Sequence, residues 1–176
     1  MVRKIVIIGP ESTGKSTLCQ QLADYYGTVW CPEYAREYLI ENGKDYTYED
    51  LHHIARGQLQ LEDNLLSEAR NNFYFIDTDM RVMKVWCEVA FNDCPAWILK
   101  SIATRPYDLH LLCDVDLPWV ADELREYPDP AFRQRLYKMY LDLMVAHPGN
   151  WAVVSGSYAD RLQAAITIIN AHFPHP

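Results

Sequence analysis

Five short stretches of the chain are continuously apolar rather than alternating: residues 4–8 (KIVII), 28–31 (TVWC), 73–77 (FYFID), 109–113 (LHLLC) and 151–154 (WAVV). Continuous runs of this length predict strands covered on both faces, as in a buried parallel sheet. Between them the apolar positions recur at helical spacing. A helix is predicted from Lys15 to about Tyr25, and another from Pro32, at the first helical position, to a stop at Gly43. Thr47 is a candidate N-cap for a longer helix carrying Leu51, Ile54, Ala55, Leu65 and Ala69 on one face. Residues 80–92 place Val82, Val85, Trp86 and Val89 on one face, and residues 131–146 do the same with Phe132, Leu136, Met139, Tyr140 and Leu143. A last helix over 158–171 closes the chain. Alternating strands and helices of this kind imply an α/β fold, an open parallel sheet with helices on both sides.

The first strand runs straight into GPESTGKST, residues 9–17. Gly9, Gly14, Lys15 and Ser16 fit the spacing G-x-x-x-x-G-K-[ST] between a strand and a helix, the context in which that spacing means a phosphate-binding loop. Glycines let the backbone curl until successive N–H groups point inward at phosphate oxygens. The positive end of the following helix adds to the same point. Lys15 supplies a cation for the outer phosphates and Ser16 a hydroxyl for Mg²⁺. Ser12, Thr13 and Thr17 are expected, on the residues alone, only to satisfy backbone groups.

Composition narrows the class. The chain has 176 residues, 49% of them hydrophobic, and a net charge of −8. That length suits one domain with a substantial core, so residues 1–176 are read as a single unit. The acidic balance argues against nucleic acid or an anionic membrane as partner. No apolar run approaches the roughly 20 residues a membrane helix needs. Five cysteines without a C-x-x-C pair read as reduced thiols of a cytoplasmic protein. A homo-oligomer is compatible with the pattern, which carries no sign of one.

Further chemistry is expected where strands end. FIDTD closes the third strand with Asp77 and Asp79; a carboxylate beside a phosphate loop can hold Mg²⁺, usually through water, whereas Asp79 doubles as a helix cap. Glu33, after the second strand and in the first turn of the next helix, is placed to accept a proton from a substrate hydroxyl. After the fourth strand comes CDVDLPWVADELREYPDPAFRQR, polar and punctuated by proline, which suits a lid supplying guanidinium groups. Arg125 is the favoured lid arginine over Arg133 and Arg135. Tyr34, Trp86 and Trp119 are candidates to stack on a flat heterocycle. His52 and His53 point apart on a helix, His172 and His175 sit in a tail, and no zinc-ligand spacing occurs.

With the phosphate loop, CPEYAREYL, FIDTD and DLPWVADELRE in this order, the chain resembles the kinase domain of the NadR-type ribosylnicotinamide kinases over nearly its whole length. The resemblance implies a three-layer P-loop kinase fold with a five-stranded parallel sheet ordered 2-3-1-4-5. It also implies ATP-dependent, Mg²⁺-dependent phosphorylation of a small-molecule nucleoside, nicotinamide riboside. Nucleotide phosphates are then expected on Gly14, Lys15, Ser16 and Thr17, and adenine near SGSYADR, with Ser157 among its contacts. Bifunctional relatives carry a separate nucleotidyltransferase domain with an H-x-G-H signature; this sequence has no such signature, so adenylyl transfer and DNA-binding repression are expected to be absent. Two other readings stay open: a kinase of another nucleoside or nucleotide, and a P-loop switch with no small-molecule acceptor.

Overall fold

The computed structural model describes residues 2–174; His175 lies outside them. Five strands form one parallel sheet: β1 (Arg3–Ile8), β2 (Trp30–Cys31), β3 (Phe73–Asp77), β4 (Leu109–Cys113) and β5 (Trp151–Val154). Their order is β2-β3-β1-β4-β5, the order expected. The seven helices among the described residues are α1 (Lys15–Tyr26), α2 (Tyr34–Asn42), α3 (Tyr48–Leu66), α4 (Met80–Phe91), α5 (Ala96–Thr104), α6 (Pro130–Val145) and α7 (Tyr158–His172).

The alternation of side chains along β1 divides the core. Ile5 and Ile7 pack with Leu18, Leu22, Phe75 and Ile169, beneath α1 and α7. Val6 and Ile8 face the other way, with Tyr74, Ile76, Val85, Leu136 and Tyr140, beneath α4 and α6. Both faces are buried, which is why the strands read as unbroken apolar runs. A third cluster joins α2, α3, α4 and α5 through Leu39, Leu51, Ile54, Met83 and Ile98.

Four elements depart from the sequence expectation. β2 is only two residues long. The Thr28 hydroxyl explains the loss, since it donates to the Phe73 carbonyl (2.7 Å) and accepts the Arg70 N–H (2.8 Å), spending itself on the neighbouring turn. α2 starts two residues after Pro32, with Glu33 as its extended N-cap rather than in its first turn. Gln58 on α3 takes the Tyr34 N–H (2.7 Å), giving the shifted start a partner the local sequence does not reveal. α3 stops at Leu66, before Ala69, and the chain then turns into β3 through Asn71 and Asn72, which adopt left-handed backbone (φ 51 and 65). α5 is an element no pattern predicted. It is short, nine residues behind Pro95, and buries only Ile98 completely, with Trp97 and Ile102 half-buried beside it, so its apolar residues form no extended stripe.

Candidate active site

The carboxyl ends of β1, β2 and β3 open into a cleft of about 570 Å³. Its floor is the phosphate loop. Gly14, at φ 79, is the left-handed N-cap of α1, a conformation that costs glycine nothing. Gly9 runs so close to β4 that a side-chain carbon there would lie 2.8 Å from the Cys113 carbonyl oxygen. The buried Thr13 hydroxyl donates to the Pro10 carbonyl (2.7 Å), and the Lys15 ammonium donates to the same oxygen (3.1 Å). Lys15 is thus folded back along its own loop, next to the helix N-terminus where anions are favoured.

Gly9, Gly14, Lys15, Ser16, Thr17, Glu33, Asp77 and Arg125 all line this one cleft. Asp77 is its most unusual member. The carboxylate is fully buried, and neither oxygen has a hydrogen-bond partner. Burial pushes its pKa well up, and the charge of nearby Glu33 pushes the same way, against the pull of Lys15 and Ser16. A buried carboxylate without partners, beside an exposed serine hydroxyl, is a hard oxygen donor set of the kind Mg²⁺ takes. Among the described residues no group of three or more His, Cys, Asp or Glu is arranged to hold a metal. Phosphate oxygens and water would have to complete any coordination shell here, which is the ordinary habit of Mg²⁺.

Asp79 is different. It caps α4 through the Arg81 N–H (2.8 Å), pairs with the Arg81 guanidinium (2.6 Å) and lies 3.2 Å from His110 Nε2. Burial works against its charge, but His110 and Arg81 hold its pKa down to about 2. The carboxylate is committed to structure, as the capping alternative anticipated.

The segment between β4 and α6 closes the cleft. Arg125 reaches the cleft wall and donates to the Val120 carbonyl (2.5 Å). Arg133 is buried instead, donating to the carbonyls of Leu117 (3.3 Å) and Ser12 (3.2 Å), and Arg135 lies outside the cleft over the Phe132 ring. Neither is a cleft arginine. Of the aromatic candidates only Trp86 lines the cleft, edge-on to Tyr46 with ring centroids 4.9 Å apart. Tyr34 is packed flat over Gly57, where an added side-chain carbon would lie 2.0 Å from its ring. Trp119 spends its ring N–H on Glu11 (3.2 Å). Ser157 is outside the cleft lining; its hydroxyl forms a capping box with Asp160 at the start of α7. The neighbouring Tyr158 ring borders the cleft at Gly14.

Residue patterns missed two further contributors. Gln58 is buried on α3 and bonds the Tyr34 N–H and the Pro32 carbonyl, with a longer contact to the Asp77 carbonyl (3.4 Å), so one amide links Glu33's helix to Asp77's strand. Arg161 is buried under the β5–α7 turn, donating to Asp116 and to the carbonyls of Val154, Gly156 and Asp114. Both sit on helices whose polar residues mostly face solvent, although Glu62 on α3 is buried too, and nothing local separates them from the rest.

Residues 4–161 match the model of the AAA domain family. The chain belongs to that family. The chain is 32% identical over 147 residues to the trifunctional NAD biosynthesis/regulator protein NadR of Escherichia coli (strain K12), and as similar to that of Salmonella typhimurium. Those matches cover 81% of this AAA-domain chain and only 36% of each relative's length. A crystal structure of NadR protein in complex with NR superposes with a TM-score of 0.81 at 21% identity, covering 99% of this chain and 52% of that one. A thymidylate kinase from Ehrlichia chaffeensis follows at 0.64 and 16%, covering 95% and 98%. The NadR resemblance read from the sequence is therefore homology, and the fold is the P-loop kinase fold.

Proposed function

We propose that this protein is an ATP- and Mg²⁺-dependent kinase that phosphorylates nicotinamide riboside to the mononucleotide. One observation carries the reading: the phosphate loop, the unpartnered Asp77 and Glu33 open into the same cleft. Homology to NadR, and a NadR structure whose ligand is named NR, support the acceptor. A NadR complex with NAD and AMP-PNP supports ATP as donor.

In this reading the loop N–H groups and Lys15 hold the β- and γ-phosphates, with Gly9, Gly14 and Thr17 shaping or lining that cradle. Ser16 and Asp77 hold Mg²⁺, whose contribution is to neutralise charge on the phosphates. Glu33, on the extended cap of α2, orients the acceptor hydroxyl and takes its proton. Arg125 offsets charge on the transferred group from the lid. Tyr46, Trp86, Val82, Leu124 and Tyr140 line the same cleft as Glu33 and supply aromatic and apolar surface suited to a flat ring. Acids on the cleft lining, Glu33, Asp45, Glu123 and Glu126 among them, outnumber its bases Lys15, Arg36, Lys44 and Arg125, a balance that favours a cationic pyridinium. Adenine is assigned to the Tyr158 edge rather than to Ser157.

A phosphorylated acceptor fits less well. Of the arginines that could meet a second phosphate, Arg81 is buried in the Asp79 pair and Arg56 lies over the Trp97 ring. Arg36 lines the cleft already paired with Asp122 (3.0 Å).

The test is a competition assay with ATP and Mg²⁺ over a panel of nucleosides and nucleotides, with products resolved by mass. Nicotinamide riboside is expected to lead adenosine, uridine and thymidine in kcat/KM. Glu33→Gln is expected to lower kcat by about a hundredfold with little change in KM. A win for thymidine or a nucleoside monophosphate overturns the acceptor and keeps the kinase. ADP release that no acceptor raises overturns the kinase in favour of a switch.

A further inference from the structure

Glu11 sits in the third position of the phosphate loop, where a carboxylate is electrostatically adverse to a bound triphosphate. Its oxygens are fully engaged by the segment between β4 and α6. Oε1 accepts the Tyr127 N–H (2.7 Å) and the Trp119 ring N–H (3.2 Å), and Oε2 accepts the Glu126 N–H (3.0 Å). The next loop residue continues the attachment. Ser12 Oγ accepts the Val120 N–H (3.0 Å), and the Ser12 carbonyl accepts from Arg133 at the head of α6 (3.2 Å). Two consecutive residues of the phosphate loop therefore grip both ends of the stretch 119–127.

Arg125 lies inside that stretch, immediately before the two N–H groups that Glu11 holds. The far side of the same stretch is tied across the cleft by Asp122 to Arg36 and by Glu126 to Tyr46 (3.0 Å). Residues 114–129 contain no helix or strand, so without such ties they would have to be ordered each time a ligand bound. Charge-assisted hydrogen bonds are the strong kind, and two main-chain N–H groups and one indole N–H converge on one carboxylate.

We infer that Glu11 is a positioning residue: it fastens the lid to the phosphate loop and so sets Arg125 on the cleft wall before nucleotide arrives. The fastening stands on these contacts alone, whereas its consequence for phosphoryl transfer rests on the kinase reading above. A lid held from the phosphate loop keeps water from the outer phosphate. The negative charge that Glu11 brings to the loop is offset by the three donors.

The fastening is read by amide hydrogen exchange on the nucleotide-free full chain, in peptides covering residues 118–129. Glu11→Gln is expected to raise exchange at Glu126 and Tyr127 by about tenfold or more, with β1 and β3 unchanged. Trp119→Phe keeps the ring but removes one donor, and is expected to act in the same direction less strongly. If Glu11→Gln does not fold, Trp119→Phe decides. Kinetics supply a second readout. On charge alone Glu11→Gln would tighten ATP binding and spare transfer. A positioning role predicts a lower kcat, no rise in KM for ATP, and a larger share of ADP released without acceptor phosphorylation. Unchanged exchange at Glu126 and Tyr127 overturns the fastening, and faster exchange with an unaltered share of acceptor-independent ADP overturns its role in the reaction. A wild-type chain that phosphorylates no acceptor overturns the kinase reading and leaves the exchange result to decide the fastening.

Discussion

Asp77 at the cleft edge and Asp79 behind it leave the same turn, and both are buried, at 0% and 1% exposure. Between them Thr78 adopts left-handed backbone at φ 79, an uncommon state for a β-branched residue that costs on the order of 1–3 kcal/mol. Behind it, Asp79 meets a helix N-terminus, a guanidinium and an imidazole, and its pKa falls to about 2. In front, Asp77 faces the cleft, with Glu33, Lys15 and Ser16 near it but no hydrogen bond to either oxygen, and burial drives its pKa the other way. The same residue type at the same depth is thus satisfied by the protein in one place and left for a ligand in the other. Burial alone does not tell a functional carboxylate from a structural one; the count of partners does.

The comparison is broken most severely from the cleft side. Lys15→Ala is expected to cut phosphoryl transfer by about a thousandfold. Little stability should go with it, because the ammonium's one hydrogen bond is to its own loop. Steady-state kinetics beside a thermal melt check both halves, and a variant with near-normal turnover removes the phosphate loop from the centre of the reaction.

Exchanging each aspartate for asparagine sharpens the contrast. Asp77→Asn is expected to slow transfer by roughly a hundredfold and to raise the Mg²⁺ concentration needed, since a neutral amide holds the ion and its water poorly. The same variant should be as stable as the parent or more so by about 1 kcal/mol at neutral pH, because an unpartnered buried charge is gone. Asp79→Asn should do the reverse, losing about 3 kcal/mol as Arg81 is left buried without its counter-charge, with an unchanged Mg²⁺ requirement. Denaturant melts and a Mg²⁺ titration of activity separate the two. Equal behaviour of the pair would end the distinction.

The half of this contrast that lies in the cleft was legible in the sequence. Gly9, Gly14, Lys15 and Ser16 have fixed spacing, and Asp77 ends an apolar run, so local pattern and strand polarity bring them together. The sheet order was legible too, through the family motifs rather than through hydrophobicity. The other half was not. Arg81 is a local partner of Asp79, two residues on, but His110 on β4 and His147 after α6 reach that pair only through tertiary packing, His110 at Asp79 and Arg81 and His147 at Arg81. Trp119, Arg133 and Tyr34 failed as cleft residues for the same reason: composition told what they could do, and packing decided what they touch. Glu33 was placed correctly at the cleft, but its role as helix cap depended on Gln58, a residue 25 positions away in α3.

The smallest expected effect tests the network behind Asp79 by pH. His147 lies with Nδ1 3.1 Å from the Arg81 guanidinium and its ring 4.9 Å from that of His110. Burial, then the charges of Arg81 and His110, lower its pKa from the usual 6.5 to about 4, with Asp79 pulling weakly the other way. A histidine whose folded pKa is depressed binds its proton more readily when unfolded, so its contribution to stability is present above pH 6.5 and is lost as pH falls through about 4. Solvent reaches part of the ring, which reduces the expected loss to about 1 kcal/mol. Asp79 adds a loss of the same sign, but only as pH falls from its ordinary range toward 2. Asp77, whose folded pKa burial raises to about 7, works in the opposite sense over the same window, so between pH 7 and 4 the His147 loss is read as the difference between denaturant melts of the parent and of His147→Gln, since glutamine can still accept from Arg81 and does not titrate. Parallel curves for parent and variant would mean that the imidazole is open to solvent, and that the network closing off Asp79 ends at His110.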